Sequence, residues 1–262
     1  MTMIARIDVT SIISPDAILG EDVTVGPFCI IGSNVIVGQG STIGPYTRIE
    51  GPTRIGARNR FFGQSSIGTE PQDLKFRGEK TELVIGDDNV FREFVTVNRG
   101  TQGGGGITTL GSSNFMMAYS HVAHDCHVGS EVIFANAATL AGHVEVGDFA
   151  TIGAFSAVHQ FCRVGEHAFI GGFTVATQDA LPFVKTVGSR PAKTYGINTI
   201  GLERRGFSKE SIEAVQRAYR ILLRSKLRLD DALVRIENEL AEFQETRYFA
   251  EFVRSAKRGI IR

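Results

Sequence analysis

The chain has 262 residues, with 28 lysines and arginines and 28 aspartates and glutamates, so its formal net charge is zero. This balance argues against a generally basic nucleic-acid-binding protein, and the 42% content of hydrophobic residues argues against a disordered chain. Three cysteines are too few for a disulfide scaffold and favour a reducing compartment. We expect no transmembrane segment, because no long apolar run occurs, and no secretory signal, because MTMIARIDVTS has no apolar core.

A six-residue repeat of apolar side chains runs through most of the chain. The residue two positions earlier is usually small or β-branched, as in a short strand whose alternate side chains point inward. A helix does not give this pattern, because six residues correspond to about 600° of rotation. Glycine follows many of the apolar residues, and we expect it to supply the unusual backbone angles of a tight turn. The repeat positions are Ile7, Ile13, Leu19, Val25, Ile31, Val37, Ile43, Ile49, Ile55, Phe61, Ile67, Ile85, Phe91, Val97, Leu110, Met116, Val122, Val128, Phe134, Leu140, Val146, Ile152, Val158, Val164 and Ile170.

Three strand–turn units predict a triangular coil of about 18 residues, and about ten such coils would stack into a prism over residues 1–185. Two polar insertions, at 69–82 and 101–107, interrupt the repeat. Insertions in a solenoid project as loops and often carry function. We favour a functional loop for 69–82, where the charged residues Asp73 and Lys75 alternate with the apolar residues Leu74 and Phe76. For 101–107 a plain solvated loop is an equally good interpretation.

Residues 186–262 lack the repeat and show helical spacing instead, which predicts a helical domain. One helix carries Ile212, Val215, Tyr219 and Leu222 after an N-cap at Ser208. A second carries Leu233, Ile236, Leu240 and Phe243 with Asp230 as its cap, and a third carries Phe249, Phe252 and Val253. Basic side chains predominate in residues 203–228, which indicates either a solvated helix face or a docking surface for an acidic or phosphate-bearing partner.

All six histidines lie between residues 121 and 167, and the 18-residue coil converts their spacing into geometry. Asp125 and His143 are predicted to stack on adjacent coils, and His124 and Gln160 to align two coils apart. A histidine beside a carboxylate is suited to general-base chemistry at neutral pH. We therefore predict one functional edge of the prism. For His127 and His167, which complete the six, we favour structural roles.

Besides the hexapeptide repeat, the chain contains the motifs QDLK (72–75), HVAHDC (121–126), AGHV (141–144), VHQF (158–161) and GLERRGFS (201–208). The repeat alone is shared by many acyltransferases, whereas HVAHDC, QDLK and ERRGFS together are strongly specific. With these motifs the sequence resembles a known family, the bacterial UDP-N-acetylglucosamine O-acyltransferases of lipid A biosynthesis. The resemblance covers essentially the whole chain.

The resemblance implies a mainly β protein, a left-handed parallel β-helix with a C-terminal α-helical domain, and a cytoplasmic homotrimer with active sites between subunits. It implies transfer of a 3-hydroxyacyl chain from acyl carrier protein to the sugar 3-position without a metal. The protein would need no cofactor of its own, because phosphopantetheine arrives on the carrier. By the same resemblance His124 is the general base, Asp125 orients it and the N–H of Gly142 stabilises the oxyanion. Substrate contacts are implied for Gln72, Asp73, Lys75, His121, His143, His159, Gln160, Asn198, Arg204 and Arg205.

Two departures from the family pattern concern specificity. Ile200 replaces an acidic residue near the uridine, and the segment around Pro191 is one residue longer than usual in a region that closes the acyl pocket. Gly172 is compatible with a deep acyl channel. Chain length therefore stays open, as does a 3-amino sugar acceptor, which would give an amide instead of an ester.

Two other protein classes are alternatives to the acyltransferase. A trimeric zinc hydratase of the carbonic-anhydrase kind needs three imidazoles converging on a metal, and it would leave QDLK and the Arg204–Arg205 pair without a role. A structural or ice-binding solenoid needs a regular outward ladder of threonines, which this sequence lacks.

Overall fold

A computed structural model describes residues 5–262. Residues 1–4, which belong to the segment MTMIARIDVTS for which we expected no secretory signal, lie outside the described residues. Within the described part the chain winds into a triangular parallel β-helix followed by four helices. Its walls are three sheets, with strands numbered in chain order. The first consists of β1 (Arg6–Ile7), β4 (Thr24–Val25), β7 (Thr42–Ile43), β10 (Arg60–Phe61), β13 (Val90–Phe91), β16 (Phe115–Met116), β19 (Ile133–Phe134), β22 (Thr151–Ile152), β25 (Phe169–Ile170), β27 (Val184–Val187) and β28 (Lys193–Ile197).

The other two sheets complete the triangle. The second consists of β2 (Ile12–Ile13), β5 (Ile30–Ile31), β8 (Arg48–Ile49), β11 (Ser66–Thr69), β14 (Thr96–Asn98), β17 (His121–Val122), β20 (Thr139–Leu140), β23 (Ala157–Val158) and β26 (Val175–Ala176). The third consists of β3 (Ile18–Leu19), β6 (Val35–Val37), β9 (Thr53–Ile55), β12 (Glu82–Ile85), β15 (Ile107–Leu110), β18 (His127–Val128), β21 (Glu145–Val146) and β24 (Arg163–Val164).

The predicted coil length is confirmed by the strand registers. Ile7 pairs with Val25 and Val128 pairs with Val146, each 18 residues further along the chain. The insertions lengthen two coils, so Arg60 pairs with Val90. The repeat side chains point inward and are buried from Val25 to Ile170. Ile7 is 44% exposed because it lies in the first coil, which has no coil beneath it.

In the regular coils, the glycines after the repeat residues do not serve to supply the unusual backbone angles of the turns, so this expectation is wrong. Positive φ falls three positions after the repeat residue, for example at Asp22 (φ 59°), and not on the glycine that follows Leu19. Glycine is needed because the next coil passes very close. A Cβ on Gly44 would lie 2.6 Å from the backbone oxygen of Phe61, so any larger residue would collide with the coil above.

Three edges separate the sheets, and each carries a different set of residues. The insertion edge, between the second and third sheets, contains both insertions and the turns at 123–126, 141–144 and 159–162. The aromatic edge, between the first and second sheets, contains a column of exposed rings. The tail edge, between the third and first sheets, contains the turns at 129–132, 147–150 and 165–168 and meets the C-terminal segment.

The C-terminal segment has its own apolar cluster beyond the last coil. Its helices are α1 (Thr199–Arg204), α2 (Lys209–Arg224), α3 (Leu229–Glu239) and α4 (Gln244–Arg254). The Ser208 cap is confirmed, because its side chain accepts a hydrogen bond from the N–H of Ser211. The Asp230 cap is wrong. Arg228 occupies that position without a side-chain hydrogen bond, and Asp230 lies in the first turn, where its charge favours the helix dipole.

Other differences lie at element boundaries. The second predicted helix is α3, and it ends before Leu240. Phe243, which we expected in the same helix, is the N-cap residue of α4. The antiparallel pair β27–β28 and helix α1 lack a repeat signal and were not predicted. Pro191 and Ile200 are both exposed, Pro191 between β27 and β28 and Ile200 in α1. Among residues 5–262, no helix is both long enough and apolar enough to cross a membrane.

Candidate active site

A pair formed by His124 and Asp125 lies at the centre of the insertion edge. The two residues follow β17, and Asp125 has the positive φ (59°) of that turn. His124 Nδ1 lies 2.7 Å from Asp125 Oδ2, and this contact assigns the proton to Nδ1. The Nε2 atom of His124 is then left with a free lone pair, as a general base requires.

The insertion at 101–107 buries the carboxylate of Asp125, which none of the sequence motifs indicated. The backbone N–H of Thr101 donates to Oδ1 at 2.7 Å, and its hydroxyl donates to Oδ2 at 2.6 Å. Burial by itself would raise the pKa of Asp125, but the hydrogen bonds from His124 and Thr101 outweigh it and hold this pKa below its usual value. The plain solvated loop considered for 101–107 is therefore wrong.

His143 stacks on the coil next to Asp125, as the 18-residue spacing predicts. Its Nδ1 lies 3.8 Å from Asp125 Oδ2, and its ring is edge-on to that of His124 with centroids 5.1 Å apart. Phe161 stacks on the other face at 4.4 Å. Burial lowers the pKa of His143 despite the opposing attraction of Asp125, and burial also lowers the pKa of His121. Both rings are thus favoured in the neutral form.

His121, His159 and Gln160 lie on the same side of the prism. His121 Nδ1 is 2.7 Å from the hydroxyl of Thr96, which fixes its ring. His159 and Gln160 are exposed, and Nδ1 of His159 lies 3.1 Å from the backbone oxygen of Gln160. The structure therefore brings these side chains to the edge that the sequence predicted, and their exposed groups are accessible there.

Gly142 lies one coil above His124 in the same column. A Cβ at this position would lie 2.6 Å from Cε1 and 2.8 Å from Nε2 of His124, so glycine makes room for the imidazole. Within residues 5–262 the N–H of Gly142 has no hydrogen-bond acceptor, whereas the N–H of His143 donates to the oxygen of His124. In two turns of the aromatic edge the equivalent position is occupied by proline, Pro27 and Pro45, which has no N–H. The coil therefore does not need a backbone hydrogen bond from the residue at this position.

The insertion at 69–82 projects from the same edge. Gln72 and Lys75 are exposed, while Asp73 is half-buried and close enough to His143 for its charge to oppose the lowering of that pKa. Its Oδ1 also accepts a hydrogen bond from the backbone N–H of Lys75. Of the two apolar residues next to Lys75, Leu74 is 96% exposed and Phe76 is half-buried.

Buried Arg99 holds this insertion in place. Its guanidinium donates to the backbone oxygen of Gly68 at 3.0 Å and lies 3.4 Å from the carboxylate of Glu70. It also lies over the ring of Phe76. The two insertions are therefore fastened to each other through the residues that precede Thr101.

The remaining predicted site residues lie at other edges of the same chain. Gly172 is exposed on the aromatic edge. Arg205 lies on the tail edge, where it pairs with Glu131 and covers the ring of Phe149. Arg204 is exposed beside it. Asn198 caps α1, accepting from the N–H of Gly201 and donating to the backbone oxygen of His167. One chain thus does not bring these four residues to His124.

His127 and His167, for which structural roles were favoured, differ in their surroundings. His127 is exposed, and its Nδ1 lies 2.9 Å from the hydroxyl of Thr109. His167 is buried between Phe149 and Phe183, and burial lowers its pKa to about 4. Neither contacts the His124–Asp125 pair.

Space for a substrate lies beside the pair. A cavity of about 410 Å³ is lined by Asp125, His143 and Phe161 on one side and by Lys257 and Arg258 of the C-terminal segment on another. Cys126, adjacent in sequence, is not a suitable nucleophile, because burial raises the pKa of its thiol to about 12.

The zinc alternative finds only part of its ligand set here. Ligand atoms of His124, Asp125 and His143 lie within 4.8 Å of one another, which gives two imidazoles instead of three within residues 5–262. The carboxylate of Asp125 also accepts hydrogen bonds from His124 and twice from Thr101. This arrangement fits a hydrogen-bonded base better than a metal centre.

Comparisons with known proteins identify the family to which the chain is similar. Residues 179–261 match the model of domain 2 of the UDP-N-acetylglucosamine O-acyltransferases, and residues 16–51 match the bacterial transferase hexapeptide repeat. Acyl-[acyl-carrier-protein]–UDP-N-acetylglucosamine O-acyltransferases from Stenotrophomonas maltophilia and Alkalilimnicola ehrlichii are 54% and 55% identical to the chain, with 98% of this chain covered in each case and 98% and 99% of the relatives. The crystal structure of the UDP-N-acetylglucosamine acyltransferase from Bacteroides fragilis has a TM-score of 0.95 at 42% identity and covers 98% of this chain and 100% of that one.

The likeness extends over both the coils and the helical tail, so the predicted fold class, a left-handed parallel β-helix of hexapeptide repeats with C-terminal helices, is confirmed. With this identity over nearly the full length of its relatives, the chain belongs to the family of acyl-[acyl-carrier-protein]–UDP-N-acetylglucosamine O-acyltransferases.

Proposed function

We propose that the protein transfers a 3-hydroxyacyl group from acyl carrier protein to the 3-hydroxyl of UDP-N-acetylglucosamine, the first step of lipid A biosynthesis. The observation that carries this proposal is the His124–Asp125 pair, with a 2.7 Å contact at Nδ1 and Nε2 left as the acceptor. The chain that contains this pair is 54% identical to an acyl-[acyl-carrier-protein]–UDP-N-acetylglucosamine O-acyltransferase, and this similarity supports the choice of substrates.

The reaction needs one base and one oxyanion donor. His124 Nε2 removes the proton of the sugar 3-hydroxyl as its oxygen attacks the thioester carbonyl. Asp125 stabilises the resulting imidazolium, and the N–H of Gly142 donates to the oxyanion of the tetrahedral intermediate. The carbon–sulfur bond then breaks, the thiolate takes the proton from His124, and the ester is released. No acyl-enzyme forms, which agrees with the raised pKa of Cys126.

Substrate positioning falls to the other side chains of the insertion edge. His121, His143, His159 and Gln160 offer hydrogen-bond donors and acceptors to the sugar, the diphosphate and phosphopantetheine. Gln72, Asp73 and Lys75 approach from the projecting loop, Asp73 towards sugar hydroxyls and Lys75 towards phosphate. The protein itself then requires no cofactor or metal.

The assembly is proposed to be a homotrimer in which a neighbouring subunit completes each site. Gly172, Asn198, Arg204 and Arg205 lie away from His124 within one chain, so a second copy is needed to bring them to the same cleft. The exposed aromatic edge supports such packing, because a monomer would leave a long apolar stripe in water. Its stacked ring pairs are Phe28–Tyr46, Phe94–Tyr119 and Phe155–Phe173.

The acidic carrier protein has a suitable docking site near the end of α2. A cavity of about 300 Å³ there is lined by four basic side chains and no acidic one: Lys193, Arg224, Lys226 and Arg262. Positive charge at this position favours an acidic partner. A cytoplasmic location is proposed as well, in keeping with buried free thiols at Cys29, Cys126 and Cys162.

The test uses the purified protein, UDP-N-acetylglucosamine, its 3-amino analogue and a panel of 3-hydroxyacyl carrier thioesters, with products identified by mass spectrometry. We expect an ester on the first sugar, with one acyl length preferred and activity retained after chelation. An amide on the amino sugar alone would replace the proposed acceptor. Hydration of carbon dioxide that depends on stoichiometric zinc would replace the reaction altogether.

A further inference from the structure

The glycine-rich insertion is built around the Asp125 carboxylate. Thr101 is 5% exposed, and the side chain of Asp125 is fully buried. Gly104, in the 3-10 turn Gln102–Gly104, approaches so closely that a Cβ would lie 2.0 Å from Asp125 Cγ. Such close packing requires this short loop to hold one conformation.

Thr101 satisfies both carboxylate oxygens. Its N–H reaches Oδ1, and its hydroxyl reaches the same Oδ2 that contacts His124 Nδ1. The backbone N–H of Asp125 is fixed separately, because it donates to the hydroxyl of Thr108 at 2.8 Å. The carboxylate can therefore rotate away from His124 only by breaking two charge-assisted hydrogen bonds in a water-excluded position.

The position of Thr101 is itself determined by the other insertion. Asn98 donates to the hydroxyl of Thr69 at 3.0 Å and to the backbone oxygen of Glu70 at 2.8 Å, and Arg99 donates to the oxygen of Gly68. These contacts anchor the chain immediately before Thr101. The substrate-facing loop and the Asp125 carboxylate are thus held by hydrogen bonds at the two ends of one short backbone segment, residues 98–101.

The geometry points to Thr101 as a positioning residue that orients Asp125 and, through it, fixes the tautomer and direction of His124. This inference rests on the proposed function, in which His124 is the base. It assigns the insertion at 101–107 to the chemical step instead of to substrate binding. Loss of the Thr101 hydroxyl should therefore lower kcat and leave both KM values nearly unchanged.

The test compares Thr101→Val, which removes the hydroxyl, with Thr101→Ser, which keeps it. A hydrogen bond to a charged group corresponds to about 10- to 100-fold in rate, so we expect kcat to fall by that factor in Thr101→Val and to be largely restored in Thr101→Ser. The acidic limb of the kcat profile should move to higher pH, because the lost donor stabilised the more negative form of the His–Asp pair. Thr109→Val is the matched control, since its hydroxyl contacts the exposed His127.

A glycine pair tests the loop itself. Gly104→Ala should lower kcat by displacing Asp125, whereas a Cβ on Gly103 meets nothing within 4 Å, so Gly103→Ala should behave as wild type. Unchanged kcat in Thr101→Val, equal losses in its Val and Ser variants, or equal losses in both glycine variants would overturn the inference.

Histidine NMR of the substrate-free protein tests the positioning role of Thr101 separately from the proposed acyltransferase function. We expect the Nδ1–H signal of His124 to shift or disappear in Thr101→Val. An unchanged His124 signal would overturn the role of Thr101 even if the enzyme is an acyltransferase. A wild-type protein without transfer activity would overturn the proposed function, while the NMR comparison would still report on the pair.

Discussion

His124 and Asp125 are consecutive in the chain, yet Nδ1 of the first contacts Oδ2 of the second at 2.7 Å. Neighbouring residues on a regular strand point to opposite faces, so this contact depends on the turn in which Asp125 has φ of 59°. The coil geometry therefore makes the pair, and the same turn one coil later supplies Gly142 and His143. Mutations can test each part of this arrangement separately.

His124→Ala should remove the base and leave the fold intact. Because the ring is partly exposed and contributes no inward side chain to the coil, the melting temperature should stay near that of wild type. General-base catalysis contributes about 10²- to 10⁴-fold, so kcat should fall by at least that much. His127→Ala is the comparison, because its exposed ring lines the same cavity but contacts Thr109 and not the His124–Asp125 pair. Turnover like that of wild type in His124→Ala would exclude it as the base.

Gly142→Ala should disturb catalysis through contact with the His124 ring. The new Cβ would lie 2.6 Å from Cε1, so the imidazole must move away from its present position. We expect kcat to drop by about 10- to 100-fold with a small change in melting temperature. A crystal structure of the variant would show a displaced ring. An undisplaced ring with normal kcat would contradict the close approach.

The two adjacent arginines should differ in their effects. Arg204→Ala should raise the KM for the UDP-sugar by about tenfold and leave stability unchanged, because Arg204 is exposed. Arg205→Ala should in addition lower the melting temperature, since Arg205 pairs with Glu131 and covers Phe149. Isothermal titration and thermal melts distinguish the two. Unchanged substrate affinity in Arg204→Ala would make it a surface charge only.

His167 should make the protein sensitive to acid. Its pKa is about 4, lowered by burial and by Arg205, whereas the unfolded chain has about 6.5. Between these values the unfolded state binds more protons, so stability increases with pH and is lost as pH falls from about 6.5 towards 4. The full loss is up to about 3 kcal/mol.

His167→Phe removes this titration and keeps the stacking with Phe149 and Phe183. Melting temperatures at pH 7 and pH 4.5 should therefore differ less in this variant than in wild type. His127→Phe, at an exposed position, should keep the wild-type difference. Equal pH dependence of wild type and His167→Phe would show that other groups cause the acid sensitivity.

Most of the fold could be predicted because an 18-residue coil leaves a direct trace in the sequence. The inward positions from Val25 to Ile170 and the stacking of His143 on Asp125 follow from counting alone. Counting could also have placed Thr101 near Asp125, because the insertion at 101–107 lengthens the coil directly below the His124 turn. Its hydrogen bonds could not be predicted, because they depend on the path of an irregular loop.

The tail was less predictable, for physical reasons. Helix α1 is short, and the β27–β28 pair has no repeat, so neither has a periodic pattern to detect. The Asp230 cap failed because a carboxylate in the first turn of a helix resembles a cap in sequence. Which edge Arg205 meets depends on how the tail folds back on the prism, and the spacing of residues does not encode that.

The column of coils also determines how this protein tolerates changes in length. Removing six residues between Asp125 and His143 would rotate everything after the deletion by one face and carry His143 away from Asp125. Removing eighteen would keep every later residue on its own face and shorten the stack by one step of about 4.8 Å. Deletions and duplications of whole turns of the spiral would therefore alter the distance between sites along an edge without changing which edge they share.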